Sequence, residues 1–452
     1  MKKLILLSFV ITALVYDAAA QVTRYVVKLK NKGGSPYTLA NPQAYLTQRA
    51  IDRRTRYGIA LDSTDLPVTP SYVTQIAGVP NVTVLNVSKW LNSVSIQTTD
   101  ASAITTISGF PFVQSVDGIA ARIATNETTG TFRNKFELEE IIGPEPSSGI
   151  TSRLNSDYFN YGTNSYNEIH LHNGEFLHNV GLRGQGMRIA VLDAGFSNYT
   201  GLKAFDSINT NSQVRDTWNF VQRNNNLNVH THGMECLSTI AANIPGQFIG
   251  KAPKADFMLY CTEEDPAENP IEEHNWACGA ERADSLGADV ISTSLGYSTF
   301  DIPSMDHTYN DMNGNTTMAA IAADLAAKKG LMVFASIGND GGNSWHFLST
   351  PSDGDSVVAV GAVNVNGVVG GFSSYGPSAD NRVKPDMASV GVAALIQTPS
   401  NTVGSGNGTS FACPNMAGLG TCLWQGFPEF NNMKIIRALQ QAGNIATSPD
   451  NR

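Results

Sequence analysis

Long hydrophobic runs are scarce in this chain of 452 residues. The clearest, residues 4–16, is shorter than the roughly 20 residues a bilayer-spanning helix needs. No later stretch is longer or more apolar, so a membrane-spanning protein is not expected. Positive charge is also short: 30 Lys and Arg face 39 Asp and Glu, a net charge of −9. That balance gives no reason to expect nucleic acid or an anionic membrane as a partner. Cysteines number five and none shows zinc-ligand spacing, so no metal site is assigned. Charged residues make up 15% and hydrophobic residues 42%, a globular composition. The length exceeds one ordinary core, so two domains are expected.

Residues 1–20 have the form of a secretory signal peptide. Lys2 and Lys3 precede the apolar run, and Ala18, Ala19 and Ala20 offer small residues for cleavage. Export is therefore expected. Residues 21–125 read as a small separate domain: strands at RYVVKLK, VTVLNVS, SVSIQTT and FVQSVDGIAAR, with helices over 42–57 and 101–108. This order suggests an α+β, ferredoxin-like fold. Residues 126–150 are polar and contain Pro and Gly, as an exposed linker does.

From residue 151 onward, short apolar strands alternate with helical stretches. MRIAVLD, KADFMLYC, ADVISTSLG, GLMVFASIG and SVVAVGAV are near-continuous apolar runs. Such runs fit strands buried on both faces of a parallel sheet, with helices over 232–243, 275–286 and 316–329 covering those faces. Ligands of such sheets bind beyond the carboxyl ends of the strands. Asp193 and Asn339 fall at two of those ends, and His232 opens a helix. Ser410 follows a glycine-rich turn into another helix, where unpaired N–H groups and the helix dipole favour a negatively charged oxygen. Pro414, four residues on, leaves the Ser410 carbonyl without its helical partner. Taken singly, each residue is as well explained by a turn, a cap or a structural hydrogen bond. Together they supply a nucleophile, a base, a carboxylate to orient the base and an oxyanion donor.

The blocks IAVLDAG, HGMECLSTIAA and GTSFACPNMAG resemble those of the subtilisin-like serine proteases, the subtilases. The last is similar to the family's GTSMASPHVAG. VISTSLG resembles the segment lining the family's substrate groove, FASIGNDGG its oxyanion segment, and SVVAVGAVNVNGVVGGFSSYGP its run before the serine. The resemblance spans roughly residues 160–445. It implies catalytic roles for Asp193, His232 and Ser410, with Asn339 at the oxyanion. It also implies substrate binding by Ser294, Leu295, Gly296, Ser336, Ile337 and Gly338. With Leu295 nearby and no buried charge evident in these segments, large apolar side chains are expected to be preferred, and Asp340 at the rim is expected to add tolerance for Lys or Arg. Residues 21–125 would be the propeptide, acting as folding aid and inhibitor.

The function implied is a secreted, monomeric serine endopeptidase acting on proteins or peptides without a required cofactor. Relatives often bind structural calcium, but no loop here can be assigned to it. The alternative is a catalytically silent protein-binding domain on the same scaffold. Met234 and Glu235 replace the Thr and His common in relatives, and His230 is a second candidate base two residues upstream. KPDMASVGV lacks a proline common in relatives. Relatives usually continue past the position of Arg452, so a truncated C-terminal end is expected. Cys236, Cys413 and Cys422 are expected to be buried thiols, and Cys261 with Cys278 are candidates for a disulfide.

Overall fold

The computed structural model describes residues 22–121, 136, 141–142 and 156–451. The expected signal segment and nearly all of the expected linker lie outside them.

The N-terminal unit runs β1 (Val22–Leu29), α1 (Gln48–Tyr57), α2 (Pro70–Ala77), β2 (Thr83–Ser88), β3 (Ser93–Gln97), α3 (Ala101–Ser108) and β4 (Val113–Ala121). The strands form an antiparallel sheet in the order β2–β3–β1–β4, the ferredoxin-like arrangement. Side chains alternate across a strand. Val27 and Leu29 thus pack with Ile76 and Ile107 of α2 and α3, whereas Val26 faces Ile271 of the larger unit. The helix expected over 42–57 is interrupted: a 3₁₀ turn at Pro42–Ala44 precedes α1. Helix α2 was not expected, although Pro70 occupies a first-turn position, where its missing N–H costs nothing.

The larger unit is built on a seven-stranded sheet with only parallel pairings. Its elements are β5 (Arg188–Asp193), β6 (Val214–Asn219), α4 (His232–Ala241), β7 (Asp256–Cys261), α5 (Ile271–Ser285), β8 (Val290–Thr293), α6 (Met318–Lys328), β9 (Met332–Ser336), β10 (Val357–Val363), β11 (Met387–Val390), α7 (Thr409–Gly426) and α8 (Asn432–Ala442). The order across the sheet is β11–β10–β9–β8–β5–β7–β6. On β5, Ile189 and Val191 enter one core with residues of α4, α7 and α8. Ala190 and Leu192 enter another with residues of α5 and α6. Burial on both faces is why RIAVLD is apolar until Asp193.

The two units meet along α5. Glu281 accepts the N–H groups of Lys89 (2.7 Å) and Trp90 (3.1 Å), which follow β2, and the Ser88 hydroxyl. At the end of α5, Asp284 takes Arg53 and Arg54 of α1, all three buried. Arg24 pairs with Glu264. All five cysteines are free and buried, so the candidate disulfide between Cys261 and Cys278 does not form. Cys278 instead faces its own helix, 3.9 Å from Nδ1 of His274.

Candidate active site

Strand β5 delivers Asp193 to the carboxyl edge of the sheet, fully buried. One carboxylate oxygen accepts the N–H of Ala194 (2.7 Å) and meets Nδ1 of His232 at 2.6 Å. Gly233 makes this approach possible, because a Cβ there would stand 2.7 Å from the Asp193 Cβ. His230 has a different part: its Nδ1 accepts the His232 N–H at 3.1 Å, at the start of α4. The Phe136 ring stacks on the His232 ring with centroids 4.1 Å apart.

Ser410 lies in the first turn of α7, where N–H groups are unpaired by the helix. Its carbonyl, deprived of a partner by Pro414, accepts instead from the Ser294 hydroxyl (2.7 Å) and the Cys236 thiol (3.3 Å). The Ser410 hydroxyl is turned toward the Ser294 carbonyl oxygen, 3.4 Å away. Asn339 follows β9. Its amide oxygen accepts both the N–H (2.9 Å) and the hydroxyl (2.8 Å) of Thr409. Two donors fix that end as oxygen, so the NH₂ end is directed away from Thr409.

Ser294, Leu295, Gly296, Ser336, Gly338, Asn339 and Ser410 line one cleft. Ile337 does not; its side chain packs with Leu348 and Ala359. Its backbone stays near the cleft, accepting the Ser349 N–H. The cleft also contains residues that no sequence motif singles out: Phe136, Glu263, Glu268 and Ser349. The two glutamates put buried carboxylates beside a cleft expected to be uncharged.

Glu263, Glu268 and Glu272 bring oxygens within 4.8 Å of one another. Glu272 accepts the N–H groups of Glu264 (2.6 Å) and Asn269 (2.9 Å), while Glu263 accepts the hydroxyls of Thr262 and Tyr297. Burial, then these carboxylates, push the Tyr297 phenol far above its usual pKa. Glu272, through its two N–H bonds, clasps the loop that leads into α5.

Comparison with known proteins agrees with this architecture. The Subtilase family matches residues 184–447, and the Peptidase S8 propeptide domain of Bacteroidota matches residues 24–134. Subtilisin BL and Subtilisin Savinase of Lederbergia lenta are each 31% identical over 273 residues, covering 60% of this chain and 87% of theirs. Subtilisin E of Bacillus subtilis is 29% identical over 264 residues, 57% of this chain and 61% of its own. The protein is a serine-type endopeptidase. It belongs to the subtilase family, with a propeptide domain ahead of the peptidase domain.

Proposed function

We propose that the protein is a secreted endopeptidase that cleaves peptide bonds through Asp193, His232 and Ser410, with no cofactor in the chemistry. The observation that carries this reading is the 2.6 Å contact between Asp193 and Nδ1 of His232, at the sheet edge where Ser410 opens α7. A proton on Nδ1, held by Asp193, leaves Nε2 as the basic nitrogen. Rotation about χ1 carries the Ser410 hydroxyl from the Ser294 carbonyl toward that nitrogen.

Ser410 Oγ then bonds to the substrate carbonyl carbon as His232 takes its proton. The Asn339 NH₂ group and the Ser410 N–H receive the oxyanion. When the C–N bond breaks, His232 returns the proton to the leaving amine. Water releases the acyl group by the same steps in reverse order, with His232 again the base. The backbone at Ser294, Leu295 and Gly296 aligns the substrate as an added strand.

Residues 21–125 act as the propeptide, a folding aid and inhibitor docked along α5. The N-terminal residues 1–20 direct export, and the mature domain, from about residue 151, acts as a monomer. Among the described residues no helix is long and apolar enough to cross a membrane.

The test is incubation with a fluorophosphonate, followed by peptide mapping. A phosphonyl group on Ser410, lost in Ser410→Ala together with peptide hydrolysis, is the expected result. Hydrolysis persisting in purified Ser410→Ala removes Ser410 from its role, and a wild-type protein still inert after cleavage between residues 136 and 156 points to a silent binding domain.

A further inference from the structure

The groups around Ser410 stand at the carboxyl edge of the parallel sheet, whereas helix α1 docks at the opposite, amino edge. Gly186 lies just before β5, residues 287–289 just before β8 and Lys329 just before β9. Arg49, Arg53 and Tyr57 are spaced by four, which sets them on one face of α1. Each reaches a different part of that edge. Arg49 donates to Gly287 O (2.7 Å) and Gly186 O (2.9 Å) and pairs with Asp289. Arg53 donates to Lys329 O (3.2 Å) and to Ala288 O, and pairs with Asp284. Tyr57 stacks on Trp424 with ring centroids 5.9 Å apart and donates to Pro428 O at 3.2 Å.

The stripe is fastened at both ends. Before α1, Thr47 donates its N–H (2.9 Å) and its hydroxyl (3.0 Å) to Ser285 O. After α1, Asp65 takes the Lys329 ammonium at 2.7 Å, with both side chains buried. The approach is close: a Cβ on Gly287 would stand 2.8 Å from the Arg49 Cβ. Arginine suits such an edge, because its planar fork spreads donors over several carbonyls at once. At the other edge of the sheet, the Phe136 ring covers His232.

We infer that the amino edge of the peptidase sheet is a second docking site, fitted to a helix that presents Arg, Arg and Tyr at four-residue spacing, and that it sets how long the N-terminal unit stays bound once the linker is cut. This deepens the propeptide reading and rests on it. An anchor on the far edge keeps the unit close, so a tail that slips out of the cleft returns to it rather than diffusing away. Buried pairs of this kind are screened far less by salt than exposed ones, so the hold persists in ordinary buffers.

The experiment uses full-length Ser410→Ala with a thrombin site inserted after residue 150. After thrombin cleavage the peptidase fragment is held through a C-terminal tag, and surface plasmon resonance follows the departure of the N-terminal fragment. Arg53→Ala should speed release roughly 30- to 3,000-fold, the range for truncating one partner of a buried charged contact. Tyr57→Ala should act in the same direction, and Phe136→Ala should speed release less than Arg53→Ala does. Arg49→Ala and Asp289→Asn, on opposite sides of the cut, remove one contact between them. The double substitution should therefore release about as fast as the faster single one, an arm that stands even if Arg53→Ala fails to fold. Release of Arg53→Ala at the unaltered rate, fastest release in Phe136→Ala, or full multiplication of the Arg49 and Asp289 effects overturns the docking site. In the Ser410 chain cut in the same way, hydrolysis of a chromogenic peptide should rise in step with release. Hydrolysis that reaches its plateau before release removes the inhibitor reading and leaves the docking site intact.

Discussion

Around Ser410, single atoms carry the arrangement. The oxyanion role proposed for Asn339 depends on Thr409, which claims its amide oxygen with two donors and leaves the NH₂ group for the substrate. Asn339→Ala should therefore lower kcat by roughly 100- to 1,000-fold with little change in KM, since the lost bond strengthens in the transition state. Steady-state kinetics on a chromogenic peptide check this. The two histidines should also separate: His230→Ala should retain most activity, because His230 meets α4 through the His232 N–H, whereas His232→Ala should lose nearly all of it. Residues placed by backbone geometry, such as Ser410 behind its glycines and Asp193 at a strand end, were legible from local sequence. Glu263, Glu268 and Ser349 were not, because they reach the cleft from loops whose local pattern carries no chemistry. Only the tertiary fold brings them there.

Among the elements, α5 joins the two units. Asp284→Ala would leave the buried Arg53 guanidinium without a carboxylate, while Arg54 keeps Asp65, and removal of one partner from such a cluster costs about 3–5 kcal/mol. Urea denaturation of full-length Ser410→Ala, with and without the second substitution, should show a loss of that size. The five apolar strands of the sheet were readable because burial on both faces forces a continuous apolar run. The edge strands were missed for the complementary reason. β6, with sequence VRDTWN, is only partly buried, so its polar residues hide the pattern. Helix α5 begins four residues earlier than expected, at Ile271, after the loop clasped by Glu272.

For the whole molecule, buried histidines set an acid limit. Burial lowers His172, His178 and His274 to about 4. His178 bridges the Tyr161 hydroxyl (2.7 Å) and the Lys251 carbonyl (2.9 Å), partners that a neutral ring satisfies with Nε2–H donating to the carbonyl and Nδ1 accepting the hydroxyl. In the unfolded chain these rings protonate near 6.5. Between those values the unfolded state binds more protons, so the stability they contribute is present above about 6.5 and is lost as pH falls toward 4. Together they give a slope of roughly 3–4 kcal/mol per pH unit near pH 5. His307 offsets part of it: burial lowers its pKa, but its partner Glu273 makes the net shift upward. Urea midpoints of full-length Ser410→Ala at pH 7.5, 6 and 5 should fall in that order. Phe136 bears on the same whole chain in another way. Its ring covers the His232 ring and is covalently joined to it through the backbone. A tethered group acts at an effective concentration of order millimolar, whatever the dilution of the protein. A free inhibitor added to the uncut chain must outcompete that fixed value. After a cut between residues 136 and 156, the same ring becomes an ordinary solute whose occupancy falls on dilution.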